Sequence, residues 1–286
     1  MEQRNKRLYS IVFIFLSLCL TILLVNIICS ITHEKITYAT ITYINPDLTS
    51  LEEEYNFYKN IDNEIIKEKE NYYNNIRKLE DRINNGQSDK KIAYLTFDDG
   101  PYKLTYTVLD ILKNNNVRAT FFVRGIPSAS DRYKMMAAAG HTIGNHTYYH
   151  NIFKGLYSSS DEFISQVDKL DSLIYETTGL HTTVVRFPGG SPSAGSKKND
   201  IVNKLHEKGY GYVDWTCHVG DGSDSLLKQK SEWNWYKSTC SGQKIMVILM
   251  HDYHYGTVEI LDDIIKDLKD QGYLLLPLSN KSIMAN

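Results

Sequence analysis

Two adjacent carboxylates close an apolar run in Thr96-Phe97-Asp98-Asp99-Gly100-Pro101. Neighbours in sequence cannot flank a glycosidic bond from opposite sides, which needs roughly 5–9 Å between the acids. Side chains at a strand end diverge, so one carboxylate can face a cation while the other faces water or substrate. On their own the same residues also make an ordinary acidic turn before Gly-Pro. Farther along, His146 and His150 occur at i and i+4, a spacing that puts both imidazoles on one side of a helical turn. An Asp from another loop would complete an Asp-His-His set with open positions. Such a site lowers the pKa of a bound water from roughly 15.7 to about 7 and so supports hydrolysis at neutral pH.

These residues sit between alternating elements. Apolar runs at 92–97, 119–123, 184–187, 210–215, 245–250 and 274–276 read as strands. Helical spacing appears at 105–115, 131–139, 161–178, 201–208 and 258–270. Strands separated by helices of this length build βα units and a parallel sheet with functional loops at the strands' carboxyl ends. A doubly wound open sheet fits the same periodicity. No Gly-rich phosphate loop follows any strand, so a nucleotide site has no support.

The region before this pattern is different. All 17 Gly and all 3 Trp lie at or beyond Gly86. Residues 1–10 carry Arg4, Lys6 and Arg7, and 11–31 run without a charge, long enough as a helix to span about 30 Å of hydrocarbon. A cleaved signal peptide is the rival reading, but its apolar region is usually shorter. The sequence therefore predicts a cytoplasmic tail over 1–10, a transmembrane helix over 11–31 and everything beyond on the outer face of the cell membrane. Over 32–90 it predicts a helical stalk or linker, with Leu51, Tyr55, Tyr58, Ile65, Tyr72, Ile76, Leu79 and Ile83 at three-four spacing. The stripe is broken at Asp62 and Lys69; it suits either a helix lying on the domain or self-association through a coiled coil.

Composition narrows the classes further. Of 286 residues, 42% are hydrophobic and 23% charged, and 32 Lys+Arg stand against 34 Asp+Glu. That is a folded protein with no basic excess, and no nucleic-acid partner is expected. Four Cys do not make a disulfide scaffold. Cys217 and Cys240 could pair on the oxidising side of a membrane, although spacing does not fix connectivity.

Thr96-Phe97-Asp98-Asp99-Gly100-Pro101, His146-Thr147-Tyr148-Tyr149-His150, Arg186-Phe187-Pro188-Gly189-Gly190 and Leu249-Met250-His251 resemble, in order, the motifs of the polysaccharide deacetylases (carbohydrate esterase family 4, the NodB-homology domain). The resemblance covers roughly 90–280. It implies a distorted (β/α) barrel of parallel strands over 91–286. It also implies a divalent metal held by Asp99, His146 and His150, with zinc first and Co, Ni or Mn as alternatives. Asp98 would be the general base and Arg186 the group holding it. The Gly189 amide would help hold an oxyanion, and His251 would be the general acid, with His254 its nearby rival. An Asp that tunes His251 should follow. Asp221 and Asp214 both qualify, Asp221 being preferred because it lies beyond a strand end, where the loop face is within reach. The implied activity is N-deacetylation of N-acetylhexosamines in a cell-envelope polysaccharide, peptidoglycan first. An O-acetyl esterase and a non-catalytic glycan-binding protein are the alternatives.

Overall fold

The computed structural model describes residues 67–222 and 229–285. Eight strands lie in one sheet: β1 (Lys91–Asp98), β2 (Thr120–Val123), β3 (Thr142–Asn145), β4 (Val184–Val185), β5 (Gly211–Tyr212), β6 (Cys217–His218), β7 (Ile245–His251) and β8 (Tyr273–Leu275). The path runs β5-β4-β3-β2-β1-β7-β6, with β8 against the first half of β1. Every pairing in the sheet is parallel. Among the described residues no pairing joins β5 to β6, so the barrel is a distorted half-barrel.

Helices α2 (Thr105–Asn114), α3 (Ser130–Ala138), α4 (Ser160–Thr178), α5 (Lys198–Glu207), α6 (Gln229–Thr239) and α7 (Tyr255–Asp270) follow a first helix, α1, over 67–84. Strand alternation sorts the side chains. Ala93, Leu95 and Phe97 of β1 join the core that includes α2, α3 and α7. Ile92 and Tyr94 point the other way, to a cluster with Phe122, Val184, Val213 and Val247 inside the curve of the sheet. Period two carries Thr96 and Asp98 to that inner side as well, which is what lets them meet Arg186 beyond β4.

The region ahead of the barrel requires correction. Among the described residues no helix is long and apolar enough to cross a membrane. The transmembrane helix expected at 11–31 lies outside the described residues. The membrane as a partner, the single-pass topology and the cell-membrane placement that depended on it are withdrawn. The stalk expected over 32–90 is corrected where the chain is described: of the two arrangements the stripe suits, α1 takes the one that lies on the domain. Helix α1 lies on the domain and belongs to the same compact unit, Glu64–Asn286. Its buried face reads Ile76, Glu80 and Ile83. Ile83 enters the inner cluster and Leu79 packs against it. Glu80 accepts from the Tyr94 hydroxyl at 2.7 Å and from the Ile283 amide at 2.8 Å. The three-four stripe is thus used against the sheet, and at these positions is not offered to a second copy.

Candidate metal centre and active site

Each candidate residue sits at the carboxyl end of a strand, and the sheet order brings them together. In the register of β1 with β7, Asp98 lies directly opposite His251. Asp99 follows β1 at φ 72°, in the left-handed region that a non-glycine residue seldom occupies. The two histidines follow β3, but not on the helical turn their spacing suggests. His146–His150 is an irregular bend in which Thr147 (φ 62°) and His150 (φ 50°) are left-handed. Asn145 holds it, its Oδ1 accepting from the Thr147 amide at 3.0 Å. The imidazoles still converge, with ring centroids 4.8 Å apart. Local strain of this kind persists only where the surroundings enforce it, and it clusters at functional sites.

Asp99, His146 and His150 each offer a ligand atom, all within 4.8 Å of one another. His146 Nδ1 lies 2.8 Å from the Arg186 carbonyl. The proton therefore belongs on Nδ1, and Nε2 keeps its lone pair for a cation. Burial lowers the His146 pKa to about 3, so the ring is neutral. Asp99 Oδ1 is buried with no hydrogen-bond partner, 3.3 Å from His150 Nε2. The Arg124 guanidinium stands 3.9 Å from this oxygen without a hydrogen bond to it, and a cation bound between the carboxylate and the neutral imidazoles would offset its desolvation. This donor set fits a divalent first-row metal.

Asp98 and His251 flank that cluster. Asp98 Oδ2 is 3.7 Å from His146 Nε2, and His251 Nε2 is 3.9 Å from Asp99 Oδ2. Arg186 holds Asp98 by its other oxygen, Oδ1, at 2.8 Å. The guanidinium is fully buried, and its N–H groups also reach Thr96 Oγ1 at 2.7 Å and the carbonyls of Val213 and Asp214 at 3.0 and 3.2 Å. Burial pushes the Asp98 carboxyl above its ordinary value, with Arg186 opposing.

The two candidates for tuning His251 separate cleanly. Asp221 accepts from the His251 amide at 2.7 Å and pairs with Nδ1 at 2.9 Å. Asp214 instead takes the Ser191 amide at 2.8 Å and so ties down the loop after Gly189. For His251, burial works to lower the pKa, but the hydrogen bond and charge of Asp221, aided by Asp98 and Asp99, lift it to about 9. His254 faces Glu232 instead. Gly189 (φ 73°) is exposed, and among the described residues no group accepts its N–H.

Sequence reasoning missed Thr96, Thr257, Glu232 and Asp252. Thr257 Oγ1 donates to Asp221 at 2.6 Å. Asp252 is buried next to His251, its carboxyl occupying the space a side chain at Gly100 would need. The adjacency of Asp252 to His251 was a signal in the sequence; the threonines carried none. Cys217 and Cys240 form a disulfide that ties β6 to the end of α6.

The polysaccharide deacetylase family model matches residues 85–213. A peptidoglycan-N-acetylglucosamine deacetylase of Bacillus cereus is 34% identical over 193 residues, 65% of this chain and 68% of that protein. A chitin deacetylase of Colletotrichum lindemuthianum is 33% identical over 194 residues, 64% of this chain and 75% of its own. The crystal structure of the catalytic domain of peptidoglycan N-acetylglucosamine deacetylase from Eubacterium rectale superposes with a TM-score of 0.65. It is 32% identical and covers 68% of this chain and 92% of that one. With a parallel half-barrel whose strand ends gather Asp99, His146 and His150, and with these likenesses, the chain belongs to the polysaccharide deacetylases of carbohydrate esterase family 4, as a metal-dependent deacetylase.

Proposed function

We propose that the protein removes N-acetyl groups from N-acetylglucosamine residues of a cell-envelope polysaccharide, with peptidoglycan as the polymer and zinc as the metal. The observation carrying this reading is the pair of proton-handling groups on either side of the Asp99, His146 and His150 cluster: Asp98 Oδ2 on one side and His251 Nε2 on the other. Peptidoglycan is favoured because the Bacillus and Eubacterium relatives carry that substrate in their names, and the fungal relative's chitin shares the same sugar.

Asp99, His146 and His150 would hold a divalent metal, which would supply Lewis acidity toward an acetyl carbonyl and a water. Asp98, gripped through Oδ1 by Arg186, keeps Oδ2 for the proton of the attacking water. The Gly189 N–H stabilises negative charge growing on the acetyl oxygen. His251 gives the Nε2 proton to the departing nitrogen as the C–N bond breaks, and Asp221 steadies the imidazole at Nδ1. Acetate and a free amine result.

The test is acetate release by the purified protein from peptidoglycan, chitin oligomers and acetylated xylan side by side, with chelator and with metals added back. Metal-dependent release from peptidoglycan is the expected outcome. Preference for chitin oligomers would move the polymer, preference for xylan would make the protein an esterase, and silence on all three would remove the catalytic reading.

A further inference from the structure

Behind His251 lie two side chains that the chemistry above does not use. Glu232, on α6, is wholly buried. Its Oε1 approaches His254 Nδ1 to 2.8 Å, although among the described residues neither carboxylate oxygen makes a hydrogen bond, and its carboxyl fills the space where a side chain at Gly256 would go, a Cβ there falling 2.1 Å from Oε2. Gly256 and Thr257 are the second and third residues of α7. The acid is therefore packed against the opening turn of that helix. Thr257, in the same turn, donates to Asp221 Oδ2, and Asp221 grips His251 at both its amide and Nδ1.

Residues 251–257 thus form an arch whose two ends, His251 and Thr257, are both held by Asp221, while Glu232 meets it between them at His254 and Gly256; both acids come from one excursion of the chain. The Cys217–Cys240 disulfide closes that excursion on itself. A buried acid is costly unless paired, and glycine near a helix start forgoes side-chain packing. Each is unfavourable alone, yet here the missing side chain is what admits the acid.

We propose that Glu232 and Thr257 are positioning residues for His251: Glu232 locks the first turn of α7 onto the disulfide-closed excursion, and Thr257, carried by that turn, fixes the carboxylate that aims the His251 ring. This rests on reading His251 as the proton donor; neither residue touches substrate.

The experiment compares E232A, G256A, T257V and T257S in the full chain loaded with zinc. E232A and T257V are expected to lower kcat by about tenfold or more, the scale of a small misplacement of a reacting group. KM and bound zinc should stay unchanged, and T257S should return most of the loss. E232A and G256A should be non-additive when combined, since both disturb one contact. A second readout does not depend on turnover. In 15N-histidine-labelled protein, the His251 ring resonances, assigned by their loss in H251A, should shift or broaden in E232A and T257V and recover in T257S. If E232A fails to fold, the near-isosteric T257V against T257S decides. Wild-type kcat together with unmoved His251 resonances in T257V would overturn the proposal. If the wild-type protein releases no acetate but the resonances move as expected, the positioning stands and the acid role falls.

Discussion

Asp98 and Asp99 are chemically identical neighbours with different surroundings, and the pleat of β1 makes the difference. Asp98 shares the inner side with Thr96 and meets a buried arginine, whereas Asp99 leaves the strand in a left-handed conformation and meets two neutral imidazoles. If the first is the base and the second a ligand, replacing each should fail in a different way. D98N keeps the shape but cannot take a proton; kcat should fall by about 10²–10⁴-fold with bound metal unchanged by elemental analysis. H146A should lose its metal on dialysis. Retained turnover in D98N, or full metal in H146A, would reverse those assignments. The acid and histidine residues were legible only in combination, through four motifs that resemble one family's in order, since each alone also suits an ordinary turn or a chance histidine pair. Thr96 and Thr257 were not, because a threonine hydroxyl at a strand end looks the same in sequence whether it aims a catalytic group or caps a turn.

At the scale of elements, long strands and helices read easily, and the short ones between β4 and α6 did not. β4, β5 and β6 hold two residues each, so 184–187 and 210–215, read as full strands, are mostly connecting chain. Helix α6 (Gln229–Thr239) went unread: its packed aromatics Trp233 and Tyr236 are interleaved with polar and charged residues, and Glu232 is buried beside them. Yet this region supplies Asp221 and Glu232, and its stability should rest on the disulfide. Closing a loop of this length is worth about 3 kcal/mol, so the C217S/C240S double variant should melt roughly 6–12 °C lower. Glu232 also gives the region a pH dependence. Burial, with the charges of Asp221 and Glu259 beside it, lifts its carboxyl from 4.5 to about 7, while His254 faces it from the start of α7. Between those values the folded chain binds more protons than the unfolded one, so this contribution is full below about 4.5 and is lost as pH rises through about 7. The melting temperature of the wild type relative to E232Q should therefore decline between pH 5 and 8. A flat difference across that range would show that Glu232 titrates normally.

For the whole molecule, parallel strands in the order β5-β4-β3-β2-β1-β7-β6 set every candidate residue at one end, since loops after parallel strands share a face. At the other end of β1, helix α1 covers the inner cluster with Ile83 and meets Tyr94 through Glu80. The alternation of strand and helix made the βα architecture legible, but it placed the domain's start at residue 91, where the first strand begins. Periodicity alone could not tell a helix that packs on the barrel from one that stands away from it. The physical distinction is the buried Glu80, an acid that no apolar stripe points to and whose partners, the Tyr94 hydroxyl and the Ile283 amide, come from 14 and 203 residues away. If α1 is part of the fold, I83A should destabilise the protein by about 2–5 kcal/mol, the usual range for emptying a buried isoleucine site, measured by urea unfolding. The active end, built on separate loops, should keep its metal affinity and its kcat at low temperature. Equal stability of I83A and the wild type would return the helix to the role of a detached linker, and a parallel loss of metal would mean that the two ends of the barrel are coupled through β1.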